Sequence, residues 1–320
     1  IKRTQAKKGC SPKVRSYLWF LFLCAHLGFL ILEYPMVLIK NSYEGKKFMN
    51  KQTVLLTGGC GFIGTNFILD WFHNKRGKLI NLDKLTYAGK KNKIYLQRML
   101  LDKPYKLIKG DINNVKLLKK VFIEHQPAAV IHMAAESHVD RSIMNPNQFI
   151  KTNILGTYNL LEASKDYWDN LNSNKKNQFR FLHLSTDEVY GSLSIKQKSF
   201  SEKSAYSPNS PYSASKASSD HLVRSYYKTY GFPVIIINCS NNFGPFQNEE
   251  KFIPKIITNA MQNKSIPIFG KGTQIRDWIY VKDHIEIMNI ILKKGKIGES
   301  YAIGSNQEIS NIKLSKKICE

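Results

Sequence analysis

Cysteine is scarce and irregular in this chain: five in 320 residues (Cys10, Cys24, Cys60, Cys239, Cys319), with no Cys-x-x-Cys pair. That pattern argues against a disulfide framework and against a bound metal, and it fits a reducing, cytoplasmic compartment. Acidic residues are also few, 24 against 48 Lys and Arg, leaving a net charge of +24. A basic surplus of this size suits nucleic acid, a membrane surface or an acidic small substrate. The lysines are scattered and accompanied by many Asn and Ile, which reads as compositional drift over solvated faces, so no nucleic-acid partner is expected. The longest apolar run, Tyr17–Leu32, has sixteen residues including His26 and ends at Glu33 and Pro35. A spanning helix needs about 20, so membrane insertion is not expected.

Residues 1–48 carry nine Lys or Arg against two Glu and share no pattern with the rest of the chain. They read as an extension outside the fold, sequence upstream of a start at Met49, with a signal anchor as the alternative. From Lys51 the character changes. Thr53–Thr57 is a short apolar, β-branched run of the kind covered on both faces in a parallel sheet. It leads into Gly58-Gly59-Cys60-Gly61-Phe62-Ile63-Gly64 and a helical stretch from Thr65 to His73. Glycine is needed here for a tight turn, for backbone approach to a pyrophosphate and for close packing of helix on strand. A helix N-terminus then offers free N–H groups and the positive end of its dipole. A second strand, Leu79–Leu82, ends in Asp83, nineteen residues after Gly64, where a carboxylate reaches a ribose diol and repels a 2′-phosphate. The cofactor implied is NAD.

Strand-like and helix-like segments keep alternating: Lys106–Ile108 before Asp111, a helical stretch to Glu124, Ala129–Met133, then Phe179–Leu184. Such alternation means βαβ units and an α/β fold, a Rossmann-type doubly wound parallel sheet. The organisation expected is an NAD-binding domain over 49–238 and a smaller substrate-binding domain over 239–320, with elements returning to the first.

Ser185-Thr186-Asp187-Glu188 follows the last of these strands directly, at the carboxyl end where open α/β sheets bind ligands. Twenty-six residues after Thr186 comes Tyr212-Ser213-Ala214-Ser215-Lys216. Spacing of i, i+4 puts Tyr212 and Lys216 on one helix face. An ammonium and an oxidised nicotinamide beside the phenol favour phenolate, the base required for a substrate hydroxyl. Tyr43/Lys47, Tyr87/Lys91 and Tyr105/Lys109 repeat the spacing, but none follows a strand that delivers a hydroxyl such as that of Thr186.

Taken in order, TGGCGFIG, AAESHVDRS, TNILGT, STDEVYG, YSASK, NCSNNFGP and IRDWIYVKDH resemble the extended short-chain dehydrogenase/reductases. STDEVYG with AESHVDRS is similar to the dTDP-glucose 4,6-dehydratases in particular. The resemblance implies oxidation of C4 of the hexose, loss of water across C5 and C6, and return of hydride to C6. It implies Glu188 as base at C5, Asp187 as acid at C6, and Thr186 on the C4 oxygen. Paired carboxyls suit that division of acid and base. It adds Asp111, Ile112, Ala134, Ala135 and Ser137 to Gly58, Gly61, Phe62, Ile63, Gly64 and Asp83 as cofactor contacts. Asn153 resembles the asparagine that supports the lysine. His138, Asn242, Lys251 and Arg276 are the implied substrate contacts, a lysine and an arginine suiting a pyrophosphate. A homodimer through Asn153–Tyr167 and Tyr212–Tyr230 is implied as well. The family continues past Gly304-Ser305-Asn306 through further helices, so the chain, stopping at Glu320 in a helix begun near Asn311, is expected to be short at its C-terminus.

Two other readings stay open. A UDP-glucuronate decarboxylase or a 4-epimerase shares most of these motifs, although a decarboxylase would carry Ser or another residue in place of Asp187. An inactive NAD-binding scaffold would keep the glycine loop without using Thr186, Tyr212 and Lys216.

Overall fold

The structure, a computed structural model, describes residues 52–193, 197–268 and 270–320. The apolar run Tyr17–Leu32, the Tyr43/Lys47 pair and the rest of the 1–48 extension lie outside the described residues. Among the described residues no helix is long and apolar enough to cross a membrane, and no group of three or more His, Cys, Asp or Glu could hold a metal ion.

Seven parallel strands form the main sheet in the order β3-β2-β1-β4-β5-β6-β9. They are β1 (Val54–Thr57), β2 (Leu79–Asp83), β3 (Tyr105–Lys109), β4 (Ala129–His132), β5 (Arg180–Thr186), β6 (Val234–Cys239) and β9 (Ser300–Ile303). Every residue of β1, β2, β4 and β6 is buried, which is why these strands are continuous apolar runs rather than alternating ones. Helices α1 (Phe62–His73), α2 (Lys90–Met99), α3 (Val115–His125), α4 (Gly156–Asp169) and α5 (Pro211–Tyr230) fall between the strands. Strand order reverses between β1 and β4, and at such a switch point a crevice opens beyond the carboxyl ends of the strands.

Helix α1 begins at Phe62, three residues before the Thr65 expected from the sequence, so the glycine loop runs directly into its first turn. Helix α5 has every terminal signal its sequence announces. Ser210 and Ser213 form a reciprocal capping box, Pro211 occupies the first turn, and Gly231 closes the end in the left-handed region at φ 67°. An aromatic cluster fills the core beside it, with Phe232 packed on Phe179 and Phe181 at centroid distances of 5.9 and 5.7 Å.

The chain divides into two compact units. One holds the described residues from Gln52 to Cys239 together with His284–Ile303, including β9. The other comprises Ser240–Asp283 and Gly304–Glu320. In this second unit β8 (Ile275–Tyr280) pairs parallel with β7 (Asn241–Phe243) and antiparallel with β10 (Glu308–Ser310). Its own core joins Phe243, Ile253, Ile257, Trp278 and Leu314, the last from the helix Asn311–Cys319. Asp277 ties its turn together, accepting from the N–H groups of Ser305 and Gln307 at 2.7 and 2.9 Å.

Candidate active site

Thr57, the last residue of β1, is followed by a loop whose geometry only glycine tolerates. Gly58 sits at φ 74°, and a Cβ on it would lie 2.7 Å from the backbone of Ala134. At Gly64 a Cβ would lie 2.6 Å from the Gly58 carbonyl oxygen and from the Gly59 Cα, so α1 is pressed against its own loop. Gly61 caps α1 without a side-chain hydrogen bond, and no acidic residue stands in the first turn. The leading N–H groups of such a helix have no partner within it. A cradle of this shape fits a dinucleotide pyrophosphate.

Asp83 is buried at the end of β2 and organises this loop. One carboxylate oxygen accepts from the Cys60 N–H at 2.8 Å and the other from the Leu85 N–H at 2.7 Å. Burial raises its pKa and these two bonds lower it, the net result being upward. Each oxygen keeps a lone pair for a ribose hydroxyl. Asn81, two residues earlier, is a contributor that the sequence reading missed. Its Oδ1 accepts from the Gly59 N–H at 3.0 Å and its Nδ2 donates to the Tyr105 hydroxyl at 2.9 Å. A polar residue in an otherwise apolar strand, LINLD, is the signal that marks it. Tyr105 and Lys109 lie on a strand, so their spacing puts no pair on a helix face.

Cβ clashes with backbone leave nothing flexible to move. Gly64→Ala is therefore expected to cost about 1–3 kcal/mol of stability and to weaken dinucleotide binding, both readable by thermal melts with and without NAD. An unchanged melt and an unchanged ligand-induced stabilisation would contradict the close packing.

The other expected cofactor contacts lie along the ends of β3 and β4. Asp111 pairs with Lys84 at 2.8 Å and accepts from the Asn113 N–H at 2.9 Å. Burial pushes its carboxyl up, but these partners outweigh it and hold it below the usual range. Ile112 is buried against Gly156. Ala134, Ala135 and Ser137 follow β4, Ala134 donating its N–H to the Thr57 hydroxyl at 3.3 Å. His138 caps the short helix Val139–Met144. That loop is held by Asn153, whose side chain accepts from the Glu136 N–H at 2.8 Å and donates to the Glu136 carbonyl at 3.0 Å. It also donates to Ser215 at 2.8 Å, so its link to Lys216 runs through the neighbouring residue rather than by direct contact. Asn153 lies in a π-helical segment, Ile150–Leu155, a local widening that frees its carbonyl for the Ser219 hydroxyl at 2.5 Å.

β5 delivers the reacting groups. Thr186 is buried and caps a 3₁₀ turn, Asp187–Tyr190, accepting from the Glu188 N–H at 3.2 Å and donating to Asp187 at 3.3 Å. Asp187 and Glu188 are half-buried. Tyr212 sits in the first turn of α5, edge-on to Phe149 at 6.3 Å. Burial of the phenol, followed by Glu188 and Cys239, pushes its pKa well above the usual value, against a lowering hydrogen bond from Thr186. Without the cofactor, the chain's own groups hold Tyr212 as the neutral phenol. Lys216, one turn on, is buried and donates to the Leu184 carbonyl at 2.8 Å. Thr186, Asp187, Glu188 and Tyr212 thus share one electrostatic site at the end of β5.

Asn242, Lys251 and Arg276 belong to the second unit. Asn242 lies on β7 and donates to the Ser240 carbonyl at 3.0 Å. Lys251 caps the helix Phe252–Met261, and Arg276 is exposed on β8.

A family model described as GDP-mannose 4,6 dehydratase matches residues 55–320. The dTDP-glucose 4,6-dehydratase of Haemophilus influenzae is 49% identical over 267 residues, 83% of this chain and 78% of that protein. The chain belongs to this family of nucleotide-sugar 4,6-dehydratases, among the dTDP-glucose enzymes. dTDP-glucose 4,6-dehydratase 1 of Escherichia coli is 50% identical over 275 residues, covering 83% and 76% of the two chains. Among solved structures, the Streptomyces venezuelae dTDP-glucose 4,6-dehydratase with NAD and TYD bound has a TM-score of 0.75 at 39% identity, over 83% of this chain and 80% of that one. The UDP-glucose 4-epimerase of Thermotoga maritima with UDP-glucose has a similar TM-score, 0.73, at only 26% identity, over 83% and 81%. The fold is thus common to dehydratases and epimerases, and sequence identity separates the two.

Proposed function

We propose that the chain catalyses the NAD-dependent dehydration of dTDP-glucose to dTDP-4-keto-6-deoxy-glucose. The observation that carries this reading is the adjacent Asp187 and Glu188 on the turn that Thr186 caps, one site with Tyr212. A decarboxylase substrate has no C6 hydroxyl and an epimerase leaves its own in place, so neither has a use for the second carboxyl.

NAD, when bound, accepts hydride from C4 and returns hydride to C6, and its oxidised ring brings positive charge to the site. Asp83 and the loop from Gly58 to Gly64 hold it, and the carboxylate repels a 2′-phosphate. Tyr212 takes the proton of the C4 hydroxyl, with Thr186 hydrogen-bonded to that oxygen and Lys216 supplying the cation that favours phenolate. The chain alone raises the Tyr212 pKa, so the positive charge brought by the cofactor works with Lys216 to favour the phenolate. The C4 ketone acidifies C5. Glu188 removes the C5 proton, exchanges it with solvent and later delivers a proton to C5, while Asp187 protonates the departing C6 hydroxyl as water. The proton gained by Tyr212 balances the one given up by Asp187, and solvent exchange resets both. Asn242, Lys251 and Arg276 are assigned to the nucleotide half of the substrate, where cations suit a pyrophosphate.

The reading includes a cytoplasmic homodimer. Cys60, Cys239 and Cys319 are free. Leu155, Tyr158 and Tyr230, on and beside the two helices assigned to the interface, are 48%, 43% and 51% exposed, which supports a partner there.

Incubation with dTDP-glucose and NAD is expected to give a product with the alkali-induced absorbance of a 4-keto-6-deoxy sugar, without net reduction of NAD. Formation of a 4-epimer or of a decarboxylated pentose from UDP-sugars, with none from dTDP-glucose, would replace the reading.

A further inference from the structure

Behind Lys216 lies a buried polar network that the reaction above does not use. Its centre is Asp220, four residues after Lys216 on α5 and fully buried. One oxygen, Oδ2, accepts from the Ser185 hydroxyl, the Tyr206 hydroxyl and the Asn238 amide, each at 2.9 Å. These donors come from β5, from the segment between β5 and α5, and from β6, so three parts of the chain converge on one carboxylate. Its other oxygen, Oδ1, is 3.2 Å from His183 Nε2, and that same nitrogen is 3.5 Å from Lys216 Nζ.

The charges in this network follow from the surroundings. Burial holds the His183 ring neutral, lowering its pKa to about 4. His132, whose ring centroid is 5.2 Å from that of His183, is likewise held neutral by burial. Burial pushes the Asp220 carboxyl up, but His183, Lys216 and Ser185 overcome it and leave the carboxylate ionised. Burial lowers the pKa of Lys216, and Asp220 is the first of the groups that raise it again, followed by Cys239. A buried ammonium without a counter-charge would shed its proton instead.

We propose that Asp220 is the internal counter-ion of the active-site lysine, a positioning residue whose charge, acting across the neutral ring of His183, keeps Lys216 protonated. This rests on the reading of Lys216 as the cation of the site. The Asp220→Asn variant isolates the charge, because an amide oxygen can accept from the same three donors and the amide nitrogen can face His183 in its other tautomer. The titratable groups around Lys216 are His132 on β4, His183 on β5, Cys239 on β6, and Asp220 and Tyr212 on its own helix. With the carboxylate gone, Cys239 alone is left of the two groups that offset burial at Lys216, so the ammonium deprotonates at lower pH.

In the NAD-loaded enzyme Asp220→Asn should lower kcat by about tenfold or more at pH 8, the equivalent of one pKa unit, with KM for dTDP-glucose little changed. A second readout is independent of turnover. In protein labelled with ¹³C at the lysine ε-carbon, the Lys216 resonance, assigned by its loss in Lys216→Arg, should titrate at least about one pH unit lower in Asp220→Asn. Tyr206→Phe removes the hydrogen bond donated to the carboxylate and the longer one accepted from Asn238 but keeps the charge, and should retain kcat within about threefold because the counter-ion itself remains. An unmoved Lys216 titration, or a Tyr206→Phe loss as large as that of Asp220→Asn, overturns the proposal. Should Asp220→Asn not fold, the wild-type titration decides: Lys216 already neutral at pH 7 overturns it, and Lys216 charged there supports it. If Lys216 variants keep full turnover, the catalytic reading fails while the titration still reports on the ion pair.

Discussion

Glu188→Gln is expected to lower turnover of dTDP-glucose by about 10²- to 10⁴-fold, the range over which a positioned general base contributes. The substitution keeps the side chain's size and leaves untouched the backbone N–H that Glu188 gives to Thr186 at 3.2 Å, so the turn Asp187–Tyr190 keeps its shape. What it removes is the group assigned to the C5 proton. In D₂O the variant should form no product labelled at C5, and the substrate's C5 proton should not wash out. Undiminished exchange at C5 would show that another base serves the position, with Asp187, adjacent on the same turn, the next group to test.

Tyr212→Phe carries an effect of similar size for a different reason. The ring stays against Phe149, so folding and melting temperature should be close to wild type. The phenol is lost, and with it the base at the C4 hydroxyl, worth about 10²- to 10⁴-fold in rate. The pH dependence adds a second test. Burial and the carboxylates raise the Tyr212 pKa, so the neutral form dominates at moderate pH and activity rises as the phenol ionises. Wild-type kcat should therefore climb with pH on the acid side of its profile, and the residual activity of Tyr212→Phe should lack that limb. A variant that retained the limb would assign it to another group, and a variant with wild-type turnover would remove Tyr212 from the mechanism.

Both residues were legible in the sequence because a strand and a helix announce them. STDEVYG stands at the end of β5, and Pro211 with Ser210 marks the start of α5. The glycine loop and Asp83 were legible for the same reason, since strand, turn and helix follow at the spacing a dinucleotide requires. Asp220 was not. It sits in Ser218-Ser219-Asp220-His221, small and polar, a run that on sequence alone reads as a solvated helix face. Only the packing of β5, β6 and Tyr206 around it turns that run inward. The π-helical turn at Asn153 was equally hidden, because no residue preference distinguishes it from the helix on either side. The burial of Tyr212 and the two acids near it were not legible either, because spacing shows a lysine one turn away while the fold sets what else surrounds the phenol.

The central claim is that one site oxidises C4, expels water across C5 and C6, and restores the electrons to the same sugar. The measurement that tests it most directly uses dTDP-glucose deuterated at C4, incubated with the NAD-loaded protein and followed by NMR. The account predicts a dTDP-4-keto-6-deoxy-glucose whose methyl group carries the deuterium. Deuterium that stays at C4 of an intact hexose, or a product whose methyl group is unlabelled, would contradict it.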